Sequence, residues 1–95
     1  MKVTVHYLSL VKSYTNKSQE EINLPDQAQL SDLLGAIATQ YGKTFQTEVY
    51  DPKKKEMKST FVAMVNGILM DQLAGVCTKM KEGDSVILMS LMTGG

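Results

Sequence analysis

The chain reads as an α+β domain in which one main helix packs against one face of a mixed sheet of four to five strands. Three observations predict this. Apolar and polar residues alternate with period two near both ends of the chain, over residues 2–7 and again over residues 85–91. One stretch in between, residues 30–41, carries helical spacing. Asn66-Gly67, the strongest two-residue hairpin signal, follows a third β-rich run.

Each element has a local reason. Val3, Val5 and Tyr7 alternate with Lys2, Thr4 and His6, which makes a strand with one apolar face. Tyr14 to Ser18 is polar and turn-like, so the chain is expected to return by a hairpin into residues 20–24. Ile22 and Leu24 share a face there, and Pro25-Asp26 ends the strand. Leu30, Leu33, Leu34, Ile37, Ala38 and Tyr41 then form one helical stripe. Ser31 is expected as N-cap, with Asp32 at the positive end of the helix dipole. Gly42 is expected to close the helix in a left-handed conformation.

In residues 43–58, Phe45, Val49 and Tyr50 suggest a short helical turn or an irregular packed segment. Asp51-Pro52 breaks it, and Lys53-Lys54-Lys55-Glu56 reads as a solvated loop. Residues 61–65 form a strand, Asn66-Gly67 a tight turn, and residues 68–70 its short return. Leu73, Val76 and Met80 cover an irregular or 3₁₀ stretch. Glu82-Gly83-Asp84 turns the chain into the last strand, which is expected to pair beside the first.

Composition narrows the function. Ninety-five residues suffice for one core, burying roughly 60–70% of the unfolded surface. Net charge is zero and all ten basic residues are lysine. Without arginine the chain lacks the planar fork that reads phosphate and guanine, so no nucleic-acid partner is expected. No leader and no apolar run near 18 residues appear, so no membrane role and a cytoplasmic location are expected. A lone Cys77 fits a reducing compartment, and the Asn16-Lys17-Ser18 sequon is discounted because no secretion signal is read. No glycine-rich phosphate loop is present, so no cofactor is expected on this chain.

The sequence closes on Thr93-Gly94-Gly95 directly after the last strand. With the first strand Lys2-Val3-Thr4-Val5, the run from Glu20 to Pro25, Leu30-Ser31-Asp32-Leu33-Leu34, Val65-Asn66-Gly67 and Glu82-Gly83-Asp84-Ser85-Val86, this ending resembles the MoaD/ThiS family of ubiquitin-like β-grasp sulfur carriers, which includes archaeal small modifier proteins. The resemblance spans nearly the whole chain. It departs in the longer residues 43–58, and in Ser90 and Leu91 where prolines often stand.

The resemblance implies a β-grasp domain over residues 1–92, with residues 93–95 as a flexible tail. It implies a carrier, not an enzyme. The Gly95 carboxylate would be adenylated with ATP-Mg by an E1-like enzyme of the MoaB/ThiF type. Sulfur would then convert it to a thiocarboxylate for molybdopterin synthesis, with a molybdopterin synthase large subunit as a further partner. The alternatives are thiamine or tRNA sulfur transfer, isopeptide bonding to target-protein lysines, and a ubiquitin-like interaction domain that never uses its tail.

Strand parity adds a partner surface. Leu8, Leu69, Met89 and Leu91 fall on the side of the sheet away from the helix, and Met92 follows them. Exposed apolar patches mark interfaces, and by resemblance this is where relatives dock on their activating enzyme. The competing expectation is that residues 43–58 fold over this face and bury it. His6 reads as a surface strand residue, since no second metal ligand is patterned around it. Cys77 reads as a packed or part-exposed thiol, and Glu82 and Asp84 as turn residues. The seven methionines read as core and interface filler, with no metal site expected.

Overall fold

The computed structural model describes residues 1–91. In chain order the elements are β1 (Lys2–Tyr7), α1 (Leu10–Thr15), β2 (Gln19–Asn23), α2 (Leu30–Tyr41), α3 (Lys43–Glu48), β3 (Tyr50–Asp51), β4 (Glu56–Met57), β5 (Phe61–Val65), β6 (Ile68–Leu69) and β7 (Ser85–Ser90). Two single 3₁₀ turns, Met70–Gln72 and Gly75–Cys77, lie between β6 and β7.

Five strands form one mixed sheet in the order β2-β1-β7-β5-β6. β1 and β7 run parallel at its centre, with Val5 opposite Val86 and Tyr7 opposite Leu88. The expected pairing of the last strand beside the first is therefore present. β2 flanks β1 antiparallel, and β5 flanks β7 antiparallel from Phe61↔Ser90 to Val65↔Val86. A parallel pair needs a long crossover. Here that crossover holds α2 and everything else between the chain's first and last strands.

Inward side chains of the strands meet α2. Val3, Val5 and Tyr7 from β1, Val86 and Leu88 from β7, and Ala63 and Val65 from β5 are buried against Leu30, Leu33, Leu34 and Ile37. Burying one such side chain contributes about 1.5–3 kcal/mol.

The start of β7 is held by its neighbours. Asn66 and Gly67 both take positive φ, 51° and 84°, as a type I′ turn requires. Asn66 N–H donates to Ser85 O (2.8 Å) and its Nδ2 to Asp84 Oδ1 (2.9 Å), while its Oδ1 accepts from Ser85 N–H (2.9 Å). The buried Asp84 carboxylate also accepts from Lys81 N–H (2.7 Å). Lys2 N–H donates to Glu82 Oε1 (2.9 Å), tying the turn before β7 to the first residue of β1.

Three local expectations are corrected. No direct hairpin joins β1 to β2, because α1 intervenes. Its apolar positions, Leu10, Val11 and Tyr14, are too few to register as a period, and a six-residue helix is unstable alone. It forms because Val11 is wholly buried. The cap of α2 is Gln29, not Ser31. The helix begins two residues earlier because Leu30 is buried and its N–H donates to Thr78 O (2.8 Å). Asp32 then closes the first turn by accepting from Gln29 N–H (2.7 Å). Gly42 has the expected positive φ, 84°, but with ψ −158°, an extended mirror conformation open essentially to glycine.

Residues 43–58 are structured. α3 and the small β3–β4 hairpin pack on α2, with Phe45, Val49 and Tyr50 fully buried in the main core. Among the described residues no helix is long and apolar enough to cross a membrane.

Candidate functional site

β7 points the chain's end. It is the central strand, bonded to β1 on one side and β5 on the other, and the ladder continues one step past its last residue, where Leu91 N–H donates to Thr60 O (2.7 Å). Leu91 is the most exposed large apolar residue among those described, at 59%. Met92, Thr93, Gly94 and Gly95 lie outside the described residues.

Register gathers a surface on the face turned from α2. His6 lies opposite Ile87, Ile87 opposite Met64, Met89 opposite Val62, and Met64 opposite Leu69. Side chains paired across neighbouring strands share a face, so these six form one patch across four strands. All are half-buried except Leu69, which is exposed. Leu8 N–H donates to Leu88 O (3.0 Å), extending the parallel ladder so that Leu8 stands level with Met89. Leu8 is 43% and Leu69 39% exposed.

Leu8, Leu69, Met89 and Leu91 therefore share one side of the sheet. Val62 and Met64 belong to the same patch and were not singled out from sequence. The alternation of Phe61, Ala63 and Val65 against them was the available signal. Residues 43–50 bury Phe45, Val49 and Tyr50 in the core with α2, and residues 55–59 line a groove together with Val62 and Leu91.

Other candidates resolve simply. His6 is half-buried within the patch, and among the described residues no group of His, Cys, Asp and Glu could hold a metal ion. Cys77 is exposed at the end of a 3₁₀ turn. Asp51 accepts backbone N–H bonds from Lys53 (2.9 Å) and Lys54 (3.3 Å), which shape the lysine loop and hold its carboxyl below the usual range. Asp84 is spent on the Asn66 turn, as a turn residue should be.

One polar cluster escaped sequence reading. Glu20 on β2 accepts from Tyr41 OH (2.5 Å), Tyr7 OH (2.6 Å), Lys17 Nζ (3.2 Å) and Gln40 Nε2 (3.3 Å). Burial alone raises a carboxyl's pKa, but these donors outweigh it and Glu20 is held low. Burial, then the bond to Glu20, pushes the Tyr7 phenol far up, and the same two causes raise Tyr41. Both phenols thus stay protonated donors. The cluster ties β1, β2 and the end of α2 together, which is a structural role.

A model of the ThiS family matches residues 5–95. No curated protein sequence matches the chain. SAMP1 from Haloferax volcanii is similar in structure, with a TM-score of 0.82 at 15% identity over 100% of both chains. A Pyrococcus furiosus protein provisionally described as molybdopterin converting factor, subunit 1, gives 0.74 at 27% identity, over 97% of this chain and 99% of that one. A chain of the Amycolatopsis orientalis BexX/CysO complex gives 0.76 at 16% identity, over 98% and 99%. The shared architecture is the ubiquitin-like β-grasp.

Proposed function

The chain belongs to the ThiS family, whose members are small ubiquitin-like carriers or modifiers and not catalysts, and on that premise we propose that its Gly95 carboxylate is the group it hands on. The observation carrying this reading is that the family match runs through residue 95, behind a strand held on both sides up to Leu91. In this reading Thr93 and Gly94 are the slim tether and Gly95 the reacting residue.

The chemistry follows from the group. A carboxylate is a poor electrophile. A carboxylate oxygen attacking the α-phosphorus of ATP, with pyrophosphate leaving, makes an acyl-adenylate. A hydrosulfide equivalent then displaces AMP and leaves a thiocarboxylate. ATP-Mg is held by an adenylating partner of the MoaB/ThiF type. This chain contributes a carbonyl carbon on a tether too thin to obstruct that partner's active site. Leu8, Leu69, Met89, Leu91 and Met92 form the docking face, and the apolar patch offers adaptable methionine at its centre.

Within the class we propose a MoaD-type carrier that supplies sulfur to a molybdopterin synthase large subunit. The likeness to the Pyrococcus furiosus protein at 27% identity supports this over the other uses of an activated tail. The test is ATP–pyrophosphate exchange by a purified ThiF-type enzyme. The wild-type chain supports exchange, and a variant lacking Gly94 and Gly95 does not. Equal exchange from both overturns the reading.

A further inference from the structure

A groove of about 380 Å³ opens beside the root of the tail. Its apolar side chains are Met57 from β4, Phe61 and Val62 from β5, Met70 and Val76 from the 3₁₀ turns, and Leu91. Met57, Val62, Met70 and Val76 are half-buried, so each keeps apolar surface in water. Lys55, Lys58, Glu56 and Asp71 stand on the rim with charges that cancel. The groove is large enough for a ligand-sized group, with Lys55, Glu56, Lys58, Ser59 and Asp71 as its polar lining around the apolar residues. It suits an apolar side chain presented on a loop.

Its position says whose loop. Leu91 is at once the last ladder residue and a wall of the groove, and its N–H bond to Thr60 O fixes it there. Gly95 lies four residues beyond Leu91, a reach of at most about 14 Å. Any enzyme acting on the Gly95 carboxylate must therefore close within that distance of the groove. We infer that the groove seats an apolar side chain from a loop of the adenylating enzyme, so that occupying it sets the tail's starting point relative to the partner's active site. This rests on the carrier reading above. It adds an anchoring point at the β5–β6 edge, built largely by residues 55–59 and the 3₁₀ turns and continuous with the Leu69–Met89 patch through Val62 and Leu91.

The test uses the full chain and a ThiF-type enzyme that adenylates it. Met57→Lys and Val76→Lys place a charge in the groove. Each should raise the carrier's KM in pyrophosphate exchange about tenfold, equivalent to about 1.4 kcal/mol, with kcat unchanged and the thermal melt intact. Met57→Leu should restore the wild-type KM. Ile68→Lys, exposed on the opposite face of the sheet beside the Asn66-Gly67 turn and outside the groove lining, should leave KM alone. An unchanged KM in both groove variants overturns the inference while leaving the carrier reading intact. An equal KM rise from Ile68→Lys overturns it as well. If the wild-type chain is adenylated by no such enzyme, the carrier reading fails first and the inference with it.

Discussion

The two faces of the central sheet are built from the same strands and do opposite work. Val5, Tyr7, Ala63, Val86 and Leu88 face α2 and are fully buried. One residue away along each strand, His6, Val62, Met64, Ile87 and Met89 face the other way and remain half-exposed. The inner face spends its apolar surface on stability. The outer face keeps nearly as much apolar character in contact with water, where it can be spent on a partner. Side-chain period two makes this division sharp, since a slip of one residue would exchange the faces.

Adjacent substitutions on β7 break the comparison most directly. Leu88→Ala should cost about 2–5 kcal/mol by urea denaturation, as a cavity opens beneath α2. Met89→Asp should cost within about 1 kcal/mol, yet weaken binding to the adenylating partner at least tenfold. If both lose stability alike, the outer face is core and not interface.

The margin between the faces comes next. Asn66→Ala removes the side chain that bonds both Asp84 and Ser85, and leaves alanine at φ 51°. About 1–3 kcal/mol should be lost, with the loss read as a lower urea midpoint. Equal stability would mean that the turn does not hold the start of β7.

Glu20 sharpens the inner layer where it meets water, since its side chain is only 14% exposed. Its folded pKa lies below the ordinary value, so its stabilisation is complete above the unfolded value, about 4.3, and is lost as pH falls through the lower folded one. Glu20→Gln should lower stability at neutral pH by about 1–2 kcal/mol. Its melting temperature should also vary less than the wild type's between about pH 5 and pH 3. Parallel curves would remove Glu20 from the acid limb.

The smallest effect is expected at Tyr50, whose buried OH has no hydrogen-bond partner among the described residues. Tyr50→Phe should leave stability unchanged or raise it by up to about 1 kcal/mol. A clear loss would show that the hydroxyl is satisfied in solution.

Much of this contrast was legible in the sequence. Strand alternation gave the two faces, Asn66-Gly67 gave the hairpin, and Leu8, Leu69, Met89 and Leu91 could be set on one side by parity alone. The misses share a physical cause. α1 has too few residues to show a period and exists because Val11 finds the core. Ser31 looked like a cap, but long-range contacts of Leu30 moved the helix start. The Glu20 cluster joins β1, the start of β2 and the end of α2. The groove joins Met57, Val62, Met70, Val76 and Leu91 from separate segments. Neither arrangement has a local signature, so only the folded chain reveals them.

The proposed carrier role puts the Gly95 carboxylate at the centre of the chemistry. Its most direct test is the mass of the C-terminal peptide of this protein isolated from its native cells. Replacement of one terminal oxygen by sulfur is expected, lost when the activating enzyme is deleted. A Gly95–lysine isopeptide remnant on other proteins would keep the activated tail but replace sulfur delivery with conjugation. An unmodified carboxylate under all conditions, with full function retained after Gly94 and Gly95 are removed, would rule out the carrier role.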